Sequence, residues 1–290
     1  MASHPLTVLS APSLVAVTGK RHGLGNRVRV VLGARSLARA EGRRFFYTWS
    51  TGADFGARFD QLWQIDDATI PRVAARILSA RFPFRDEKLE WLDDAVRAER
   101  VVQIRTPHAL HLPSNAVPWA SDLQNLHPVE PVATRVSEFF DAHFVSAPYV
   151  GVMVRAHPNS HHLTLRESPI DWYLTRMQQI RRRHPDIRFF VSADTVEAQQ
   201  RVVEAVPGSF ALSDKGGYNT TRALQSSVAD LYLLASSTHI LAPYFSSFPE
   251  LSQKLAGADL ALETSHTTPV EDFALMIVND PTQPHRRHLA

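Results

Sequence analysis

The chain has 290 residues, 44% of them hydrophobic, enough to bury one large core or two of about 130–160 residues each, which excludes disorder throughout. Its 31 basic and 29 acidic side chains nearly cancel to +2, so the sequence pI of 9.0 reports a small arginine excess, suited to a local phosphate pocket rather than a DNA-coating face. There is no cysteine, which removes disulfides, thiolate nucleophiles, Cys-ligated zinc and iron–sulfur clusters.

The opening MASHPLTVLSAPSLVAV has no Lys or Arg before its apolar part, and Pro12 interrupts it. It reads as an irregular lead-in and a first strand rather than a signal peptide. No apolar run approaches the roughly 20 residues that span a bilayer, so a soluble, cytoplasmic protein with no membrane span is expected. SLVAV (13–17) is the continuous apolar run of a strand buried on both faces. Beyond it, TGKRHGLGNRVRV (18–30) crowds Gly19, Gly23 and Gly25 among Lys20, Arg21, Arg27 and Arg29. Over residues 27–41, Val30, Val31, Ala34, Leu37 and Ala38 share one helical face, and Arg29, Arg35, Ser36 and Arg39 the other. Gly42 suits the helix C-terminus, and RFFYTW (44–49) restarts as a strand. The unit is βαβ, with the glycine-rich loop at the carboxyl end of its first strand, where open α/β sheets hold ligands.

Residues 50–128 offer helical patterns in IPRVAARILSARF and EKLEWLDDAVRA, a strand in RVVQIR (100–105) and a proline-rich stretch. NLHPVEP (125–131), with two prolines, marks a domain junction, and VATRVSEFFDAHF reads as an amphipathic helix. Alternation then becomes regular. YVGVMVR (149–155) and IRFFVSAD (187–194) are strands, and the helix in SPIDWYLTRMQQIRRRHP takes Ser168 as N-cap and Pro169 as its first residue. TVEAQQRVVEAVPG, TRALQSSVADLYLLASS and SSFPELSQKLAG are helices, SFAL and HILAP short strands, DKGGYN a loop and NDPTQPHRRHLA a disordered tail. The second half is a Rossmann-like α/β domain.

Four places carry chemistry. The glycine-rich loop lacks the Gly-Lys-Ser/Thr of a Walker A and the spacing of G-x-G-x-x-G. It is either a tight turn with a solvated basic rim, or backbone N–H groups and a helix start facing an anionic or sugar ligand. Arg155 ends an apolar strand, as a surface residue or as a planar donor fork for a diphosphate. Asp194 ends the next strand, where it caps the following helix or accepts from two N–H donors of a guanine. Ser246 and Ser247 cap a helix or present hydroxyls and N–H groups to phosphate. His157, His161 and His162 read as exposed loop histidines against a metal-site alternative.

Taken in order, these places resemble the superfamily of α1,6-fucosyltransferases, nodulation fucosyltransferases and protein O-fucosyltransferases. The motifs are GLGN (23–26), GVMVR (151–155), SPIDWY (168–173), VSAD (191–194) and VADLYLLASSTHILAPYFSS (228–247). The resemblance is firm over 149–257 and looser over the first 50 residues. It implies a GT-B fold, two Rossmann-like domains facing across a cleft: an acceptor-side domain over 1–128 and a nucleotide-sugar-binding domain over 129–290. It implies an inverting transfer of fucose or a related hexose from a GDP-sugar to a small-molecule or glycan hydroxyl, with no metal ion, no cofactor beyond the donor and no nucleic-acid partner. By position, Arg155 holds the diphosphate, Asp194 the guanine, Asp230 the ribose side, and Ser246 and Ser247 the phosphates. Asn26, with Gly23 and Gly25, faces the pyrophosphate or the transferred sugar.

The chain departs from that pattern at Met153, where the family has His, and at Ala156, where an Arg often follows. The acidic residue expected some ten positions past Arg155 has no clear counterpart. Glu167 is the first choice for a general base and Asp54 the second, with His161 and His162 as further replacements. The departures leave two alternatives open: a UDP- or dTDP-sugar donor, and a nucleotide-sugar-binding protein without activity.

Overall fold

The computed structural model of the chain describes residues 5–20, 22–85, 94–257 and 260–290. They group into two compact units, Met1–His127 with Gly217–Leu224, and Pro128–Gly216 with Gln225–Ala290.

In the first unit, β1 (Ser13–Val17), α1 (Leu24–Ala40) and β2 (Arg44–Thr48) form a βαβ motif. α2 (Arg72–Leu78), β3 (Phe84–Arg85), α3 (Asp94–Arg97), β4 (Val101–Ile104) and α4 (Trp119–Gln124) follow. The strands lie in the order β2-β1-β4-β3, all parallel, with Ser13 opposite Arg44 on one side and Val101 on the other. Every residue of β1 is buried, as a two-sided core strand requires. α1 starts three residues before the expected Arg27 and is buried on nearly every side. Ser36, expected on its outer face, instead donates its hydroxyl to the Val117 carbonyl. The helix packs on α4 as well as on the sheet, so one apolar stripe understates its contacts. Of EKLEWLDDAVRA, residues 87–93 lie outside the described residues, and the remainder holds α3.

The second unit runs α5 (Glu130–His143), β5 (Tyr149–Val154), α6 (His162–Glu167), α7 (Ile170–Arg183), β6 (Arg188–Ala193), α8 (Val196–Ala205), β7 (Ser209–Phe210), α9 (Thr221–Ala235, its residues up to Leu224 counted with the first unit), β8 (His239–Leu241), α10 (Ser247–Ala256) and β9 (Ala261–Glu263). Its five strands are parallel in the order β7-β6-β5-β8-β9. The chain builds outward from β5 through β6 and β7, then returns to lay β8 on the other flank of β5. The topological switch point therefore falls between β5 and β8, at their carboxyl ends. Gly151 permits this packing: a Cβ there would lie 2.9 Å from Leu234 Cδ2 and 2.9 Å from Ser237 Oγ, closer than side chains approach.

Two expectations are corrected here. Ser168 is the C-terminal cap of α6, and α7 begins at Ile170 with Pro169 as its N-cap; the Ser168 hydroxyl accepts from Tyr244 N–H at 2.8 Å instead. The tail is an ordered hairpin, β10 (Met276–Val278) pairing antiparallel with β11 (Arg287–Leu289). Asp280 accepts from Thr282 and Gln283 in its turn, and Arg287 donates to the Ala235 and Ser237 carbonyls at 2.6 and 2.9 Å. Proline-rich, polar composition hides such anchors because their partners lie some fifty residues away.

An ionic cluster is buried on the far flank of this sheet. Arg176 grips both Glu263 oxygens, and His239 Nε2 and the Val270 N–H meet Glu263 Oε2 at 3.1 and 3.2 Å. Arg176, Glu263 and His239 are 4%, 1% and 0% exposed. Burial alone would raise the Glu263 pKa, but the hydrogen bonds from His239, Arg176 and Val270 outweigh it and hold the carboxyl below its usual range.

Candidate functional site

In the first unit the glycine-rich loop is fastened from inside. Thr18 exchanges hydrogen bonds with Thr48, N–H to Oγ1 at 3.2 Å and Oγ1 to carbonyl at 2.9 Å. The His22 Nδ1 accepts from Gly19 N–H at 3.1 Å, and a Cβ on Gly19 would strike the His22 ring at 2.6 Å. Burial and the nearby Arg27, Arg29, Arg105 and His108 lower the His22 pKa, which keeps Nδ1 an acceptor.

Arg27 is the hub of the loop. It is fully buried and donates to three carbonyls: His22 at 2.7 Å, Ser50 at 2.6 Å and Lys20 at 2.9 Å. Its guanidinium lies 4.0 Å over the Phe55 ring and 5.5 Å from the centre of Trp49. Burial, and secondarily Arg72, pulls its pKa down to about 10. Arg29 directs its fork at the Pro107 carbonyl, 2.9 and 2.5 Å away. The solvated basic rim, one of the two readings left open for this loop, is not met at Arg27 and Arg29. Two of its four cations bind backbone oxygens, Lys20 is exposed, and Arg21 lies outside the described residues. A guanidinium inside a loop needs carbonyls around it, and helical periodicity does not register them.

What the loop presents outward is the start of α1. Gly23 is its N-cap in extended conformation, with no side-chain cap, and a Cβ there would meet nothing within 4 Å. Gly25 is buried in the first turn. The Asn26 Oδ1 is a buried acceptor with no partner among the described residues. Seventeen residues of helix place the positive end of their dipole at this open turn. Asp54 is exposed in the same unit and contributes to the field at Arg27.

In the second unit Arg155 and Asp194 follow the neighbouring strands β5 and β6. Asp194 Oδ1 accepts from the Ala156 and His157 N–H groups at 2.7 and 3.0 Å. Its Oδ2 accepts from Ser160 Oγ at 3.1 Å and Arg155 Nη1 at 3.3 Å. These four donors fill the capacity of a carboxylate, so Asp194 anchors the β5–α6 loop where a guanine contact was expected. It does not cap α8 either; Thr195 does, accepting from Ala198 N–H at 3.2 Å. The Arg155 side chain is 35% exposed, and its bond to Asp194 uses Nη1 alone.

The turn after β8 faces this loop from the next strand. Val152 pairs with Leu241, so Arg155 and Tyr244 both stand three residues beyond that pair. Ser246 is the N-cap of α10, with no hydrogen bond from its side chain to the first turn. The Ser246 and Ser247 hydroxyls and the helix's leading N–H groups therefore follow β8 at the same carboxyl edge of the sheet at which Arg155 follows β5, the edge where helix starts receive anions. Asp230 is 4% exposed. Its Oδ2 accepts from Ser192 Oγ at 2.7 Å and Lys215 Nζ at 2.8 Å, and its Oδ1 is buried without a partner among the described residues. Lys215 was missed in the sequence; its signal was a lone lysine in the DKGGYN turn at a strand end. Met153 is buried at 4% exposure, leaving no polar group in the place of the family's His.

Glu167 is tied to Arg166 Nε at 2.5 Å and His266 Nε2 at 3.0 Å. Arg166 first and His266 second hold its pKa below the usual glutamate range. A low-pKa carboxylate is a weak proton acceptor, which argues against its expected role as base. Among the described residues no three His, Asp or Glu side chains converge as a metal site, so His157, His161 and His162 do not form one. No helix among the described residues is long and apolar enough to cross a membrane.

No protein-family model matches the chain, and no curated protein does. Solved structures do. Fucosyltransferase NodZ from Bradyrhizobium is 17% identical, with a TM-score of 0.57 over 84% of this chain and 93% of its own. POFUT1 in complex with GDP is 11% identical, with a TM-score of 0.57 over 89% of this chain and 99% of its own. A variant of Arabidopsis thaliana FUT1 in complex with GDP is 12% identical, with a TM-score of 0.55 over 90% of this chain and 72% of its own. The expected resemblance to fucosyltransferases holds at the level of the fold, and two parallel α/β units fit a GT-B-like architecture.

Proposed function

We propose that the chain is a glycosyltransferase that takes its sugar from a GDP-sugar and passes it, with inversion and without a metal ion, to a hydroxyl of a small-molecule or glycan acceptor. The observation that carries this reading is the switch point of the second unit, where neighbouring parallel strands lead at one sheet edge into Arg155 and into an uncapped helix start bearing Ser246 and Ser247. Such a transfer requires charge and donors that strengthen as the diphosphate departs. Arg155 grips two oxygens with its free edge, and the α10 N–H groups and serine hydroxyls receive the others. The Lys215 ammonium is neutralised by Asp230 and serves to fix that carboxylate. In the first unit by itself, the open turn of α1 and the Asn26 Oδ1, unpartnered among the described residues, offer N–H donors and an acceptor to an anionic or sugar group. With Glu167 a weak base, most of the rate enhancement comes from stabilising the leaving group. GDP is preferred as the donor nucleotide because the solved relatives in fold hold GDP or GDP-fucose.

Calorimetric titration with GDP, UDP and dTDP, with and without EDTA, tests the proposal. GDP should bind at least about tenfold more tightly than UDP, about 1.4 kcal/mol, and EDTA should change nothing. Two observations favour a second reading, a UDP- or dTDP-sugar donor: Met153 in place of His, and an Asp194 whose acceptor positions are filled. Equal or stronger binding of UDP selects it.

A further inference from the structure

Outside the residues assigned to the donor, the second unit carries an exposed run of aromatic rings. His162 lies 4.5 Å from His161, His161 4.5 Å from Phe245, Phe245 6.3 Å from Tyr244, and Tyr244 4.1 Å from His266, centre to centre. Tyr244 is half-buried and the other four are exposed, Phe245 at 59%. Two further features separate this run from chance surface aromatics. Phe245 has φ +60°, a left-handed conformation that is a genuine outlier for a bulky side chain. Backbone bonds hold it there: its carbonyl accepts from Thr164 Oγ1 at 3.1 Å, and the preceding Tyr244 N–H is held by Ser168 Oγ at 2.8 Å. The fold thus keeps a large apolar ring in water at a conformational penalty. The run also has polar groups along its edge. His161 caps α6 by accepting from Leu163 N–H at 3.3 Å, and His266 meets Glu167 at 3.0 Å, with Arg166 on the other carboxylate oxygen.

We infer that this strip is a glycan-binding subsite, on which pyranose rings lay their C–H faces against Phe245 and the flanking imidazoles. A pyranose is apolar on its faces and hydroxylated round its rim, so it matches ring faces bordered by imidazole nitrogens, a carboxylate and a guanidinium. The rings are tilted to one another by 30–43° from His162 to Tyr244, which suits a puckered, multi-ring chain better than one flat base. Phe245 immediately precedes Ser246, so a glycan here lies next to the turn assigned to the donor phosphates. Naming that glycan the acceptor rests on the proposed transferase reading; the carbohydrate binding itself does not.

The test screens the full chain against an array of labelled oligosaccharides with hexose, N-acetylhexosamine and uronic acid backbones. The best binder is then titrated against wild type, Phe245→Gly and His162→Ala, with GDP titrated in parallel. Phe245→Gly should weaken the glycan at least about tenfold and leave the melting temperature within about 2 °C, because glycine accepts the left-handed backbone. His162→Ala should weaken it by about threefold, and GDP affinity should stay within about twofold in both variants. Two outcomes overturn the subsite: no array member bound, or GDP weakened by Phe245→Gly with glycan affinity intact, which would assign the rings to the nucleobase. Glycan binding that depends on Phe245 in a protein that binds no nucleotide would uphold the subsite and defeat the donor reading instead.

Discussion

Replacing Asp194 by asparagine separates an anchor from a base reader. The amide keeps one oxygen for the Ala156 and His157 N–H groups, now 2.7 and 3.0 Å from a charged acceptor. Two charge-assisted bonds become neutral ones, at a loss of about 1 kcal/mol each. The new NH2 faces Arg155 Nη1, donor against donor, while Ser160 can turn its hydroxyl to accept. The Arg155 pair itself adds only about 0–1 kcal/mol, since that guanidinium is 35% exposed and screened. The total is about 2–3 kcal/mol, which at about 2–4 °C per kcal/mol lowers Tm by roughly 5–10 °C. The loop carries Arg155, so affinity for GDP and UDP should fall together. Circular dichroism melting without ligand and calorimetry with both nucleotides measure these quantities. An unchanged Tm with the GDP preference erased would show that the carboxylate reads a base and that its internal bonds are incidental.

Three further outcomes are expected. Arg155→Ala should lower kcat/KM by about 10²-fold, roughly 2.7 kcal/mol of transition-state stabilisation, with little change in Tm; Arg155→Lys should restore part of it, and unfolding of the alanine variant would make the residue structural. Arg27→Met strands three carbonyls and should destabilise by about 3 kcal/mol or more, seen in a guanidinium-chloride titration; a wild-type midpoint would mean that water replaces the guanidinium. His22 has a folded pKa below its usual value, so the unfolded chain binds its proton first. Stability should therefore rise with pH through that window and fall as pH drops below about 6.5; His22→Gln should flatten this slope, and an unaltered slope would place the dependence on other groups.

Much of the scaffold was legible in the sequence because parallel core strands leave an unmistakable trace. SLVAV, YVGVMV and RFFVSA are apolar without alternation, since helices cover both faces. Strand ends then placed Arg155, Asp194 and the serine turn at one edge. The partners of those residues were not legible. Whether a strand-end Asp meets a ligand or the backbone of the next loop depends on how loop 155–161 folds back, and neither strand encodes that. Arg27 shows the same limit, because an arginine in a glycine-rich loop reads alike whether it faces water or three carbonyls. β9, β10 and β11, three residues each, are too short to show a period.

The buried Arg176–Glu263–His239 cluster has a consequence for fidelity of assembly. β9 is an edge strand of three residues beside β8, with Leu241 opposite Glu263. So short an edge has little hydrophobic pattern with which to choose its alignment. Sliding it by one residue would turn the Glu263 side chain to the opposite face. Arg176 would then remain buried without a counter-ion, a penalty of roughly 3–5 kcal/mol. A well-packed apolar trio holds a native alignment as firmly but tolerates the wrong one. The carboxylate works as a key: it adds little to the depth of the native state and closes off the neighbouring misalignment.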